Sequence, residues 1–122
     1  MKSEIVLQEK YRDYEVIVRK IWFEDSDMFF GVSNREWYCG YVVIPKGHKY
    51  YDMDYEDVED EIDVHGGLTF FGELDGIDGY LLGFDCNHSF DNPVDQDASY
   101  TLSECKRIVD QLIEVEEWKL KN

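Results

Sequence analysis

The sequence predicts an α+β domain, an antiparallel sheet of about four to five strands with a C-terminal amphipathic helix packed on one face. Three observations predict it. Short runs rich in β-branched and aromatic residues are divided by turn formers, the long helical periodicity lies at the C-terminal end, and 122 residues that are 43% hydrophobic and 16% aromatic suit one core, hence a single domain over 1–122.

Taken in order, Tyr14–Trp22 partly alternates, with Tyr14, Val16, Val18, Lys20 and Trp22 on one face, and reads as a strand. Glu24-Asp-Ser-Asp27 offers turn residues and Met28–Val32 a short partner, which makes a hairpin. Trp37–Ile44 is the next strand, stopped by Pro45 and Gly47, and extends an antiparallel meander. Leu68–Phe71 and Tyr80–Phe84 are further strand candidates, separated by the turn-rich Asp75–Gly79, while Asn87–Ser99 lacks periodicity and reads as a loop. Thr101-Leu-Ser-Glu104 matches a capping box, and Leu102, Cys105, Ile108, Val109, Leu112, Ile113 and Val115 fall near helical spacing. This predicts a helix over about 102–119 whose apolar stripe covers the sheet and buries Cys105 as a small hydrophobe.

Charge excludes several functions. Twelve Lys and Arg against 28 Asp and Glu give a net charge of −16, a field that repels phosphate backbones and anionic lipid, so neither direct nucleic-acid binding nor a membrane partner is expected. No apolar run approaches the ~18 residues that span a bilayer, and Met1–Lys10 lacks the design of a secretion signal, so a cytoplasmic location is expected. Cys39, Cys86 and Cys105 are odd in number and widely spaced, which points to reduced thiols. The charge is also unevenly placed: Tyr50–Cys105 holds 16 carboxylates and no Lys or Arg, while the flanking segments are neutral. Its densest part, Asp52, Asp54, Glu56, Asp57, Glu59, Asp60 and Glu61, reads as a solvated surface, or as a face for a basic protein partner, a nucleic-acid mimic or a cation site.

Two segments concentrate polar, potentially reactive groups beside strand ends: Asp63-Val-His-Gly-Gly-Leu-Thr-Phe70 and Gly83-Phe-Asp-Cys-Asn-His-Ser-Phe-Asp91. Gly66-Gly67 lets backbone N–H groups approach a ligand closely, though it also suits a plain turn whose polar neighbours satisfy the backbone. The candidate ligand-binding residues are His48, Asp63, His65, Gly66, Gly67, Thr69, Asp85, Cys86, His88 and Asp91. His65, Cys86, His88 and Asp91, with His48, carry metal-donor atoms, but Cys86-x-His88 has no second paired motif and neither 52–63 nor 91–103 has the Gly and Glu of an EF-hand, so no metal or other cofactor is expected. A Cys86–His65 nucleophile pair, or acid–base work by His65 with Asp63 or Asp85, is conceivable on residue type alone. The chain has no P-loop, GxSxG elbow or GxGxxG, and binding is favoured over catalysis. Trp37-Tyr38, Tyr41, Tyr50-Tyr51 and Phe70-Phe71 are strand and core cover, and those flanking the polar segments suit a planar ligand.

Taken together, Tyr38-Cys-Gly-Tyr-Val-Val-Ile-Pro-Lys-Gly-His48, Tyr51, Asp63–Phe70 and Gly83–Asp91 resemble a family of small proteins encoded by bacteriophages and prophages. The resemblance covers about 37–91 and the C-terminal helix, and Gly83–His88 fits the family's Gly-Phe-Asp-Cys-x-His pattern. A short Glu73–Gly79 connection and the strongly acidic 52–63 run depart from it. The resemblance implies a phage accessory protein acting in the host-cell cytoplasm against a host defence. Three mechanisms follow: binding of a small nucleotide-type signal at the HGG and DCNH segments, which is the leading expectation; an acidic inhibitor that blocks a basic surface of a defence protein; or a small hydrolase acting on the signal. A phosphate-bearing ligand needs cations at the site, for which Arg35, Lys46 and Lys49 are available. Self-association stays open.

Overall fold

A computed structural model describes residues 1–23, 35–51 and 53–121. Five strands, β1 (Lys2–Tyr11), β2 (Tyr14–Trp22), β3 (Glu36–Ile44), β4 (Phe70–Leu74) and β5 (Ile77–Asp85), form one sheet in the order β1-β2-β3-β5-β4, with every neighbouring pair antiparallel. A one-turn helix, α1 (Tyr55–Val58), lies in the acidic run, and the long helix α2 (Ala98–Lys121) closes the chain. The α+β class, the sheet and the packed C-terminal helix are as the sequence predicts; the turn expected at 24–27 and the strand expected at 28–32 lie outside the described residues.

β1 is the strand that sequence reasoning does not see. Its first four residues are exposed and the rest are at most half-buried, so its pattern carries no clean alternation. Pairing fixes it instead. Tyr11 faces Tyr14 across the two-residue turn Arg12-Asp13, whose φ values of 50° and 70° give the mirror-image turn that matches strand twist. At the other edge Leu74 faces Ile77 across Asp75-Gly76, so β5 resumes two residues before the end of the turn expected at 75–79. β4 starts at Phe70 because Leu68 turns into the core, while the Thr69 N–H donates to the Gly83 carbonyl.

The period-two geometry of the strands divides the apolar residues into two layers. Val16, Val18, Val42, Ile44, Leu82 and Phe84 face α2, which returns Cys105, Ile108, Val109 and Leu112, all fully buried. Ile17, Ile21, Trp37, Cys39, Tyr41 and Leu81 make the other layer, which Phe70 joins. α2 starts three residues before the expected capping box. Asp97 caps it, its Oδ1 accepting the Tyr100 N–H at 2.8 Å and its carbonyl accepting the Thr101 N–H at 3.0 Å. Thr101 and Glu104 are therefore inside the helix and buried, and Glu104 serves a neighbouring loop.

The acidic run is anchored, with Val58, Ile62 and Val64 buried beneath it and the Tyr50 hydroxyl donating to Glu61. His48 is part of the same anchoring. Its Nε2 donates to the Leu112 carbonyl at 2.8 Å and its Nδ1 accepts the Tyr50 N–H at 3.0 Å, which joins the turn after β3 to α2. Replacing His48 by Ala leaves the buried Tyr50 N–H unpaired and the Leu112 carbonyl with its helical partner alone; a loss of about 1–3 kcal/mol in urea unfolding is the expected result. A stability equal to wild type would show that water replaces the imidazole at no cost. Among the described residues no helix is long and apolar enough to cross a membrane.

Candidate functional site

Two tight turns build the site. Val64–Gly67 closes through the Gly67 N–H to the Val64 carbonyl at 2.9 Å, with Gly66 at φ +68°, and this presents His65 beside the first turns of α2. There the Glu104 carboxylate accepts the His65 N–H at 2.8 Å. The second turn follows β5: the Asp91 N–H bonds the His88 carbonyl at 2.9 Å, and Asp91 Oδ2 accepts the His88 N–H at 3.0 Å.

The two turns meet at Asp91. His65 Nε2 lies 2.7 Å from its Oδ1, and His88 Nδ1 lies 2.8 Å from its Oδ2. A carboxylate only accepts, so both nitrogens carry the proton when the rings are neutral, and His65 Nδ1 then accepts from the Tyr100 hydroxyl at 2.7 Å. The Asp91 side chain is wholly buried. Burial alone pushes its carboxyl up, but hydrogen bonds from His65 and from the His88 backbone and ring outweigh burial and hold it below the ordinary carboxylate value. The rings interlock: His65 meets Tyr100 edge-on, and the largely exposed Phe90 stacks on His88 at 5.4 Å.

Gly66 makes this arrangement possible. A Cβ there would overlap the His88 ring, lying 2.6 Å from its Nε2, and the positive φ independently disfavours a side chain. The HGG motif is thus a turn and a seat for the DCNH imidazole at once.

Beside His88 a groove of about 550 Å³ runs along the second layer of the sheet, lined by Trp37, Tyr41 and Phe70 and by the polar side chains of Asp85, Asn87 and His88. Thr69 is also in its wall. Arg19, from the same face of β2, stands with its guanidinium carbon 5.6 Å from the Tyr41 ring centroid, and its Nε is enclosed without a hydrogen-bond partner among the described residues. Another cavity, of about 300 Å³, lies between Tyr50, Glu61 and Trp118 and is lined by none of the predicted ligand-binding residues.

Of the sequence candidates, His65, Gly66, His88 and Asp91 come together, and Thr69 and Asp85 join His88 in the groove. Gly67 completes its turn. His48, Asp63 and Cys86 do not contribute. His48 holds the fold, as above; Asp63 is exposed, paired with Arg107 at 2.7 Å. Cys86 is buried with its Sγ 3.7 Å from the Thr101 hydroxyl, and burial pushes its thiol up to about 12, so it is no thiolate nucleophile at neutral pH and the Cys86–His65 pair is set aside. Lys49 lines the cavity beside Trp118, Lys46 follows the end of β3 opposite the Cys39–Asp85 pairing, and Arg35 is exposed just before β3; Arg19, opposite Cys39, is a further cation on the sheet face that lines the groove.

Along the acidic run, Asp54, Glu56, Asp57 and Asp60 are exposed and make no ion pair among the described residues. Glu59 is half-buried beside the Tyr55 hydroxyl, whose pKa its hydrogen bond and burial raise to about 12, and Glu61 accepts from Tyr50. Asp52 lies outside the described residues.

Sequence reasoning missed Tyr100, Glu104 as a loop anchor, and Arg19. Arg19 had a readable signal, an arginine on the apolar Ile17–Ile21 face of an alternating strand; Tyr100 had none, since its role depends on where α2 starts. Comparison with protein-family models, with curated proteins and with solved structures yields no match to this chain.

Proposed function

We propose that this chain is a phage accessory protein that counteracts a host defence by sequestering a small nucleotide-type signal in the groove beside His88. The observation that carries this reading is the groove itself. Its volume of about 550 Å³ falls in the range of small-molecule sites, and it sets three aromatic walls against the donors and acceptors of Asp85, Asn87 and His88, as a planar base requires. Arg19 supplies a positive charge on that face for an anionic group, which the net charge of −16 makes necessary. The resemblance of the HGG and DCNH segments to phage proteins supports the counter-defence role. Sequestration is favoured over turnover because Cys86 is unactivated and because neutral His65 and His88 both commit a proton to Asp91.

The test is a thermal-shift screen against cyclic oligonucleotides and cyclic ADP-ribose-type signals, with chromatography of each mixture after heat denaturation. A ligand at a hundred times its Kd adds about 2.7 kcal/mol of stability, so a rise of several degrees with intact ligand recovered is expected, and Arg19→Ala or Asn87→Ala should remove it. Altered ligand would replace sequestration by hydrolysis. No shift with any signal would overturn the groove as a nucleotide site.

A second reading rests on Asp54, Glu56, Asp57 and Asp60, exposed and without an ion pair among the described residues, which suit a basic surface of a defence protein. That reading requires inhibition to weaken steeply with salt and to vanish when these four are made Asn and Gln.

A further inference from the structure

We propose that His65, His88 and Asp91 form a binding site for one divalent transition-metal ion of the zinc, cobalt and nickel class. One donor atom from each residue lies within 4.8 Å of the others. The His65–Asp91 and His88–Asp91 contacts are 2.7 and 2.8 Å. An ion at the ~2.0–2.2 Å ligand distances of zinc needs those contacts to open by about half an ångström, within the reach of two turns.

Three features take the cluster beyond a satisfied hydrogen-bond knot. Two imidazoles from separate turns converge on one wholly buried carboxylate, with the His65 side chain itself 9% exposed. The outer nitrogen of His65 also has an oxygen partner, the Tyr100 hydroxyl 2.7 Å from Nδ1, while on the outer side of His88 the Asp85 carboxylate stands 3.9 Å from Nε2, near enough for charge attraction but not a hydrogen bond. Such outer partners orient metal-binding histidines and fix their tautomer. Finally, the 16 carboxylates between Tyr50 and Cys105 have no Lys or Arg among them, so a cation at this end meets no competing positive side chain from that segment.

Metal entry requires no net loss of protons. The His65 proton moves from Nε2 to Nδ1, where the Tyr100 oxygen accepts it, and the His88 proton moves from Nδ1 to Nε2, on the side of the Asp85 carboxylate. The freed lone pairs and Asp91 then hold the ion. Two nitrogen donors and one carboxylate select a borderline transition metal over calcium or magnesium, which prefer all-oxygen shells. This inference stands apart from the nucleotide reading, because its probe is the metal alone.

The experiment titrates EDTA-stripped, desalted full-length protein with Zn²⁺ by calorimetry and with Co²⁺ by visible absorption. Expected are one saturable equivalent, cobalt ligand-field bands, shifts confined to the His65 and His88 imidazole signals in NMR spectra, and no displacement by millimolar Ca²⁺ or Mg²⁺. His88→Gln, at a side chain 27% exposed, keeps the fold and should weaken binding at least ~10-fold, with Tyr100→Phe weakening it by about 10-fold through orientation alone. The combined Asp54→Asn, Glu56→Gln and Asp57→Asn variant should bind as wild type does. Absence of a saturable equivalent, unchanged affinity in His88→Gln, or loss of binding in the acidic-run variant would each overturn the site.

Discussion

Gly66→Ala should unseat His88 and, with it, the whole cluster. The added methyl overlaps the imidazole, approaching Nε2 to 2.6 Å, and the backbone at φ +68° penalises an L side chain whatever the space. The backbone term is about 1–2 kcal/mol. The steric term has a different character, because His88 is partly exposed and can swing away at the cost of its 2.8 Å bond to Asp91. The expected result is therefore a moderate loss of stability, about 2–3 kcal/mol, with a fall of about 100-fold in zinc affinity, and loss of the stabilisation by any ligand that uses His88. A double-mutant cycle separates the two terms. In a His88→Ala background the overlap is gone, so Gly66→Ala should cost at least about 1 kcal/mol less than it does alone. Full additivity would mean that the glycine serves the turn only, and that the contact between the two motifs carries no energy.

That contact shows how far the site was legible in the chain. HGG and DCNH stand out in the sequence because donor-bearing residues adjoin a glycine pair and a strand end, and His65, Gly66, His88 and Asp91 do meet. Residue type alone cannot say which other donors join them. His48, Asp63 and Cys86 carry equally suitable atoms, but each is held elsewhere: His48 by Leu112 and Tyr50, Asp63 by Arg107, and Cys86 by burial against Thr101. The same limit applies to the fold. Trp37–Ile44 was readable because both faces of β3 are buried and the run is almost wholly apolar, whereas β1 is a polar edge strand defined by pairing through a two-residue turn. The helix start was misplaced because Thr101 and Glu104 mimic a capping box while Asp97 makes the cap, and Glu104 is spent on the His65 N–H. Tyr100 was hidden by the same misplaced start, since a residue that falls between the expected loop at 87–99 and the expected helix has no defined direction.

Gly40→Ala is the change with the largest expected effect on folding. Gly40 lies in the middle of β3, opposite Val18 on β2 and Phe84 on β5, on the face that α2 covers. A Cβ there would overlap the Phe84 ring edge and stand 2.6 Å from Cys105 Sγ. Neither neighbour has room to give: Phe84 is 1% exposed and Cys105 is fully buried, and both sit between the sheet and the helix. Overpacking by one methyl typically costs about 1–3 kcal/mol when surrounding side chains yield, and more when they cannot. Here relief requires α2 to lift from the sheet, which would also loosen Ile108, Val109 and Leu112. We expect a loss of about 3–4 kcal/mol, or a fall in Tm of roughly 10–15 °C, in this variant. Substituting Cys105 by Ala alongside removes the sulfur overlap but leaves the ring edge, so the double variant should recover part of the loss and not all of it. Full recovery would place the whole constraint on the helix; no recovery would place it on the Phe84 ring, and a wild-type Tm in the single variant would mean that α2 packs less closely on β3 than this geometry states.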